Sequence, residues 1–299
     1  MSVLVVGSTA YDTIHTPFAG PKECLGGSAT HFALSARWFN EVRLVSVVGE
    51  DFKDSDVQML KDQGIKTEGL EIAKGKTFRW TGKYSSDMNH RETLSVDLNT
   101  FGDFDPKLPE AWRSSPFVFL ANGHPLVQAK VLEQVSGPKF VVADTMDLWI
   151  HTAKDELLAL MQKLDGIVLN DEEAKLLTGE HNLIKAGRAL LRMGPSIAVV
   201  KKGEHGSFLF SQFFQFALPA YPTENVLDPT GAGDSFAGGF MGYLSQLESI
   251  SVWSLKKAVA YGTCTASLNV ESYGTERVVN ADRSELEARY QEFLQFAQI

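Results

Sequence analysis

Cysteine is scarce in these 299 residues: Cys24 and Cys264 share no motif spacing. No disulfide framework is read from them, and they suit a reducing compartment. Long apolar runs are lacking too. The run that follows Met1-Ser2 is Val3-Leu4-Val5-Val6, four residues, against the roughly 20 that span a bilayer, and no signal peptide is visible. Positive charge is in short supply, with 28 Lys and Arg against 37 Asp and Glu and a net charge of −9. That balance argues against a phosphate backbone as partner, while nucleotides held by local groups stay open. The expectation is a soluble cytoplasmic protein that binds neither nucleic acid nor membrane. At 44% apolar and 22% charged, the composition supports a large buried core and argues against disorder.

Two phosphate motifs are also missing. Gly69-Leu70-Glu71-Ile72-Ala73-Lys74-Gly75-Lys76-Thr77 imitates a P-loop, but five residues separate its glycines where the motif has four, and a strand-like segment follows. Gly231-Ala232-Gly233 fails as a dinucleotide fingerprint because no third glycine falls at the required spacing and the loop comes late in the chain. Repeats, low-complexity tracts and long linkers are absent, so a single unit over 1–299 is expected.

What is present is an alternation of strand-like and helix-like segments. Residues 3–6, 42–49, 117–121, 139–144, 166–169 and 197–201 read as strands, and helical patterns follow Gly27 and cover 50–64, 157–164 and 171–178. The repetition predicts an α/β fold with a mostly parallel sheet covered on both faces. Residues 77–98 break the series and read as a long hairpin, either a lid or a plain edge hairpin.

The chemistry-bearing stretch is Asp228-Pro229-Thr230-Gly231-Ala232-Gly233-Asp234-Ser235-Phe236-Ala237-Gly238-Gly239. Small residues running into a helix at 236–244 leave backbone N–H groups aimed one way, and the helix dipole adds positive charge there. Asp234 beside that anion site is either a helix cap or a base. Gly26-Gly27 opens a second glycine-to-helix junction where a ligand can approach backbone closely, with His31 in its first turn or so. Asp12 lies just past the first strand, where open sheets gather ligand groups. Asn170 and Glu173 are either a capping box or a pair that meets phosphate-bound Mg²⁺, Glu173 through water. Phosphoryl transfer needs an anion hole, a base and Mg²⁺ control, and strand ends here offer all of them.

In family order, these residues resemble the ribokinase-like (PfkB-type) carbohydrate kinases: Asp12, Gly26-Gly27, Asn170-x-x-Glu173, Gly203-x-x-Gly206 and the signature from Asp228 to Phe236. The late signature is specific and the others gain weight together. The resemblance implies a three-layer α/β/α sandwich with a mostly parallel central sheet and a β lid built from about 11–24 and 77–98. It implies ATP-dependent phosphorylation of a sugar hydroxyl, with a nucleoside kinase or a silent sugar or nucleotide sensor as alternatives. Carried over by position, Asp234 is the catalytic base and Gly231, Ala232 and Gly233 the anion hole. Asp12, Gly26, Gly27 and His31 fall on the substrate side. Asn170, Lys201, Gly203, Gly206 and Thr263 fall on the nucleotide side, Glu173 on Mg²⁺, and Asp228 on a monovalent cation, K⁺, with carbonyls near 270–274. His31 stands where ribokinases proper have Asn, and Lys201 where a Thr is common, so the acceptor need not be ribose. A homodimer through the lid, with Phe78 and Trp80 at the contact, is the partner expectation.

Overall fold

Val3 and Val5 enter one apolar core, and Leu4 and Val6 enter another. Successive side chains of a strand point to opposite faces, so a strand apolar at every position demands cover on both sides. That strand is β1 (Ser2–Val6) of a computed structural model describing residues 1–298. It is followed by β2 (Ala10–Thr16), β3 (Ala19–Gly26), β4 (Glu41–Gly49), β5 (Lys66–Ala73), β6 (Phe78–Tyr84) and β7 (Arg91–Asp97). The remaining strands are β8 (Phe117–Leu120), β9 (Phe140–Asp144), β10 (Gly166–Asn170), β11 (Ile197–Lys201), β12 (Ser207–Ser211) and β13 (Gln215–Leu218).

The main sheet has nine strands in the order β13-β12-β11-β10-β9-β8-β1-β4-β5. Pairing is parallel from β11 to β5, while β12 and β13 add an antiparallel edge. On one face lie α1 (Ser28–Ala36) and α2 (Asp54–Asp62), whose Phe32, Leu34 and Leu60 join the first core. The opposite face carries α3 (Pro125–Gln134), α4 (Asp147–Thr152), α5 (Lys154–Met161), α6 (Asp171–Thr178) and α7 (Leu183–Arg192), which supply Val131, Ile150, Leu157, Leu177 and Leu190 to the second core. The chain then returns to the first face with α8 (Ala232–Leu244), α9 (Val252–Asn269), α10 (Glu276–Asn280) and α11 (Arg283–Ala297). This is the expected three-layer sandwich. Among the described residues no helix is long and apolar enough to cross a membrane.

β1 lies between β4 and β8, so the strand order reverses there, and a crevice opens past the carboxyl ends of the neighbouring strands. A second sheet of four strands, β3-β2-β6-β7, comes from the segments expected to form the lid. β2 and β6 are parallel, and the outer pairs are antiparallel. The P-loop imitation is structural: Gly69 lies inside β5, and a Cβ there would meet the Trp112 ring at 2.6 Å.

Candidate active site

Strand parity gathers the functional groups. Val142, Val168 and Val199 lie in the core beneath α8 and α9. Two residues further on, at the ends of β9, β10 and β11, stand Asp144, Asn170 and Lys201. Residues two apart on a strand share a face, and these strands are neighbours. Their terminal side chains therefore converge on the α8 side.

Helix α8 begins four residues before the apolar run at Phe236 suggested. Its N-cap is Gly231, at φ 75°, a left-handed conformation that a side chain strains to adopt. A Cβ there would also stand 2.4 Å from atoms of the His31 ring. Ala232 spends its N–H on the Pro229 carbonyl at 3.1 Å, whereas among the described residues no backbone partner takes the N–H of Gly233 or Asp234. The Asp234 N–H meets its own carboxylate, which leaves the Gly233 N–H and the helix dipole able to receive an anion. Asp234 sits in the first turn and is not the cap. Burial pushes its carboxyl up to about 7, the charge of Asp144 adds to the rise, and Lys201 and Arg91 oppose it. A carboxylate poised there can accept a proton from an alcohol near neutral pH.

Asp12 on β2 is 5% exposed. Burial lifts its carboxyl to about 7; Asp228 and Asp234 add to the rise, and the Gly27 N–H and Arg91 oppose it. Gly26 leaves room for it, since a Cβ there would stand 1.9 Å from Asp12 Oδ2. His31, expected among the substrate contacts, packs against the loop at Gly231. Its ring is 1% exposed, beneath Gly231, with Nδ1 2.8 Å from Asn269 Oδ1. Asn269 donates through Nδ2 to the Thr230 carbonyl at 2.7 Å, so its Oδ1 is the acceptor and His31 Nδ1 carries the proton. Burial lowers the ring to about 4, and Nε2 has no partner. In this structure a neutral His31 braces the loop at Gly231 from behind.

Asn170 and Glu173 form the capping box of α6: Glu173 N donates to Asn170 Oδ1 at 2.8 Å and Asn170 N to Glu173 Oε2 at 2.7 Å. Burial, then the charge of Asp144, pushes the Glu173 carboxyl up to about 8, with Lys201 opposing. Asp144 is the residue that sequence reasoning missed. It is 4% exposed and lies 3.2 Å from Lys201 Nζ through Oδ2. Burial works against the Lys201 ammonium, but Asp144, Glu173 and Asp234 together more than offset it and hold it above its ordinary value.

The small sheet closes over this end. Tyr84 Oη lies 3.0 Å from Thr230 Oγ1, and Asn89 Nδ2 donates to Glu204 Oε1 at 2.9 Å, bridging to the Gly203–His205 turn that ends at Gly206. Arg91 stacks over Trp80, 5.5 Å from its centroid. Asp228 is fully buried and accepts from Thr230 N and Gly274 N, each at 2.9 Å. Thr263 is buried on α9, its hydroxyl bonded to the Val259 carbonyl at 2.9 Å.

The pfkB family carbohydrate kinase pattern matches residues 2–281. The chain belongs to that family. It is therefore a phosphotransferase of the ribokinase-like group of sugar and nucleoside kinases. A cytidine kinase of Thermococcus kodakarensis is 28% identical over 247 residues, covering 81% of this chain and 87% of that protein. A nucleoside kinase of Methanothermobacter thermautotrophicus is 29% identical over 292 residues, covering 92% and 91%. Among solved structures, the aminoimidazole riboside kinase of Salmonella enterica, complexed with aminoimidazole riboside and an ATP analogue, superposes with a TM-score of 0.77 at 20% identity. The alignment covers 97% of this kinase and all of that chain.

Proposed function

We propose that this kinase transfers the γ-phosphoryl group of ATP to a ribose hydroxyl of a nucleoside, with Asp234 as base. The observation that carries the chemistry is Asp234 itself: a half-buried carboxyl with its proton affinity near neutrality, in the first turn of a helix where, among the described residues, no backbone carbonyl takes the Gly233 N–H. Asp12 faces it from the small sheet and takes the acceptor's other hydroxyls; no side-chain donor of the protein is bonded to its carboxylate among the described residues. The acceptor oxygen attacks in line, its proton passes to Asp234, and the helix N–H groups take the charge on the transferring group.

Mg²⁺ fits this end of the sheet through Glu173, whose Oε2 is spent on the capping box while Oε1 is not. Among the described residues no cluster of three ligating side chains exists, which suits an ion held chiefly by phosphate oxygens and water. When bound, it supplies positive charge to the triphosphate. The nucleoside reading is supported by the cytidine and nucleoside kinases among the relatives. A free sugar is the second reading, favoured by the family's carbohydrate kinase pattern.

The test is Asp234→Asn, assayed by ADP release against cytidine, purine nucleosides, ribose and sugar phosphates. Turnover on the best acceptor is expected to fall about 10²–10⁴-fold while the variant still binds ATP. Normal turnover would remove Asp234 as base, and a preference for free ribose would replace the nucleoside. Running the panel in KCl against NaCl addresses K⁺ at Asp228, where an unchanged rate removes the cation. Sedimentation of the same preparation addresses pairing through β7, whose Leu94 and Val96 are exposed.

A further inference from the structure

Lys201 occupies an odd place for a cation. A Cβ on Gly233 would stand 2.7 Å from its Nζ, so the ammonium lies against the first turn of α8, at the positive end of that helix dipole. Lysines are stabilising at helix C-termini and disfavoured at N-termini. Side-chain exposure is 17% for Lys201 and 6% for its partner Asp144, so water screens the clash poorly. A buried pair of this kind adds little net stability, because desolvation cancels most of the attraction. The arrangement is explained once an anion enters between the ammonium and the helix N–H groups, because that anion receives both.

We infer that Lys201 is a catalytic residue whose ammonium grips the oxygens of the transferring γ-phosphoryl group, and that Asp144 is the positioning residue that aims it. The inference rests on the kinase reading of the site and deepens it by assigning this lysine to one particular phosphate. As the acceptor oxygen forms its bond to phosphorus, the bond from phosphorus to the bridging oxygen breaks. The electron pair leaves on ADP, the acceptor proton goes to Asp234, and Lys201 keeps its own proton throughout. Parity fixes the aim: Asp144 and Lys201 follow Val142 and Val199 by two residues, on strands separated by β10, so both project to the α8 side. Asp144 Oδ1 is already taken by the Thr145 N–H at 2.7 Å, which leaves Oδ2 for the ammonium at 3.2 Å.

The experiment compares nucleotides that differ only in the third phosphate. Calorimetry of the intact protein with Mg²⁺, without acceptor, measures ADP and the non-hydrolysable analogue AMP-PNP. Lys201→Met and Lys201→Thr are expected to weaken AMP-PNP about 10- to 100-fold, as loss of a charge-assisted hydrogen bond does, and to leave ADP within about threefold. Asp144→Asn is expected to narrow the same preference by a smaller factor. Equal losses for both nucleotides, in variants that melt like the parent, would move Lys201 to the inner phosphates and overturn the assignment, as would no loss for either. An unchanged preference in Asp144→Asn would remove Asp144 from the device. Because no acceptor is present, these outcomes are independent of which hydroxyl is phosphorylated and of the fate of Asp234→Asn.

Discussion

Replacing Asp12 by Asn should make the ligand-free kinase more stable at alkaline pH while it disables acceptor binding. The carboxyl is raised to about 7 from an ordinary value of 3.8. Below about pH 4 it is protonated in both folded and unfolded chains and has no effect on the balance between them. As pH rises toward 7, the unfolded chain releases the proton and the folded one keeps it, so stability is lost, at about 1.4 kcal/mol per pH unit. The loss levels off above pH 7, where both states are ionised. Between pH 5 and pH 8 the wild type therefore loses about 3 kcal/mol through this group, whereas the amide of the Asp12→Asn variant does not titrate and loses none. For a chain of this length 1 kcal/mol moves the melting temperature by about 2 °C. The difference in Tm between variant and parent should thus grow by roughly 6 °C from pH 5 to pH 8. Differential scanning fluorimetry at the two pH values reads it, and subtraction cancels any pH-independent loss of a hydrogen bond to Gly27. A difference that is the same at both pH values would refute an ionised, uncompensated Asp12.

Turnover itself should follow Asp234. The base must be ionised, so kcat/KM should rise tenfold per unit below about pH 7 and flatten above it; a profile flat from pH 5 to 8 would separate Asp234 from proton transfer. Gly231→Ala should impair both fold and rate. The new Cβ meets the His31 ring at 2.4 Å in a left-handed backbone, and forced packing of that kind costs about 1–3 kcal/mol. Pairing it with His31→Ala should restore part of the lost Tm; no recovery would mean that the backbone conformation alone sets the penalty.

The fold was legible because periodicity and punctuation agree along most of the chain. The fully apolar run at 3–6, followed by a Gly-Ser turn, reads as a buried strand, and Gly179 closes α6 in the left-handed conformation that such glycines mark. The proposed centre of the site rests on a different signal. An anion hole must be built from small residues next to a helix start, and the run from Gly231 to Asp234 ahead of an apolar segment has that form. The setting of the His31 ring beneath Gly231 was not legible, because a helical residue's direction depends on where its helix packs. Ser28 to Ala36 are all buried, so no amphipathic face marked which side of α1 met the ligand. Asp144 left no motif at all. Its signal was parity, Val142-x-Asp144 in step with Val168-x-Asn170 and Val199-x-Lys201, and that can be read only once β9, β10 and β11 are known to be neighbours. The bridges from the small sheet, Tyr84 to Thr230 and Asn89 to Glu204, join residues 146 and 115 apart, beyond the reach of local spacing.

The capping-box reading and the metal-ligand reading of Asn170 and Glu173 look like rivals in sequence; the structure forms the box, and the box leaves Glu173 Oε1 for the proposed ion. The box uses one Glu173 oxygen and fixes the rotamer of the other, which a ligand-facing carboxylate needs if it is to be held in place before the ion arrives. Asp234 is likewise spared the capping role: Gly231 takes the cap position, and Asp234 occupies the first turn with its carboxylate met by its own backbone N–H. Burial then raises both carboxyls, because neither has a full complement of donors in the ligand-free protein. On the proposed reading, a site that meets a metal–triphosphate and an alcohol leaves those valences open, and the raised proton affinities of Asp12, Glu173 and Asp234 follow from leaving them open in a partly desolvated crevice.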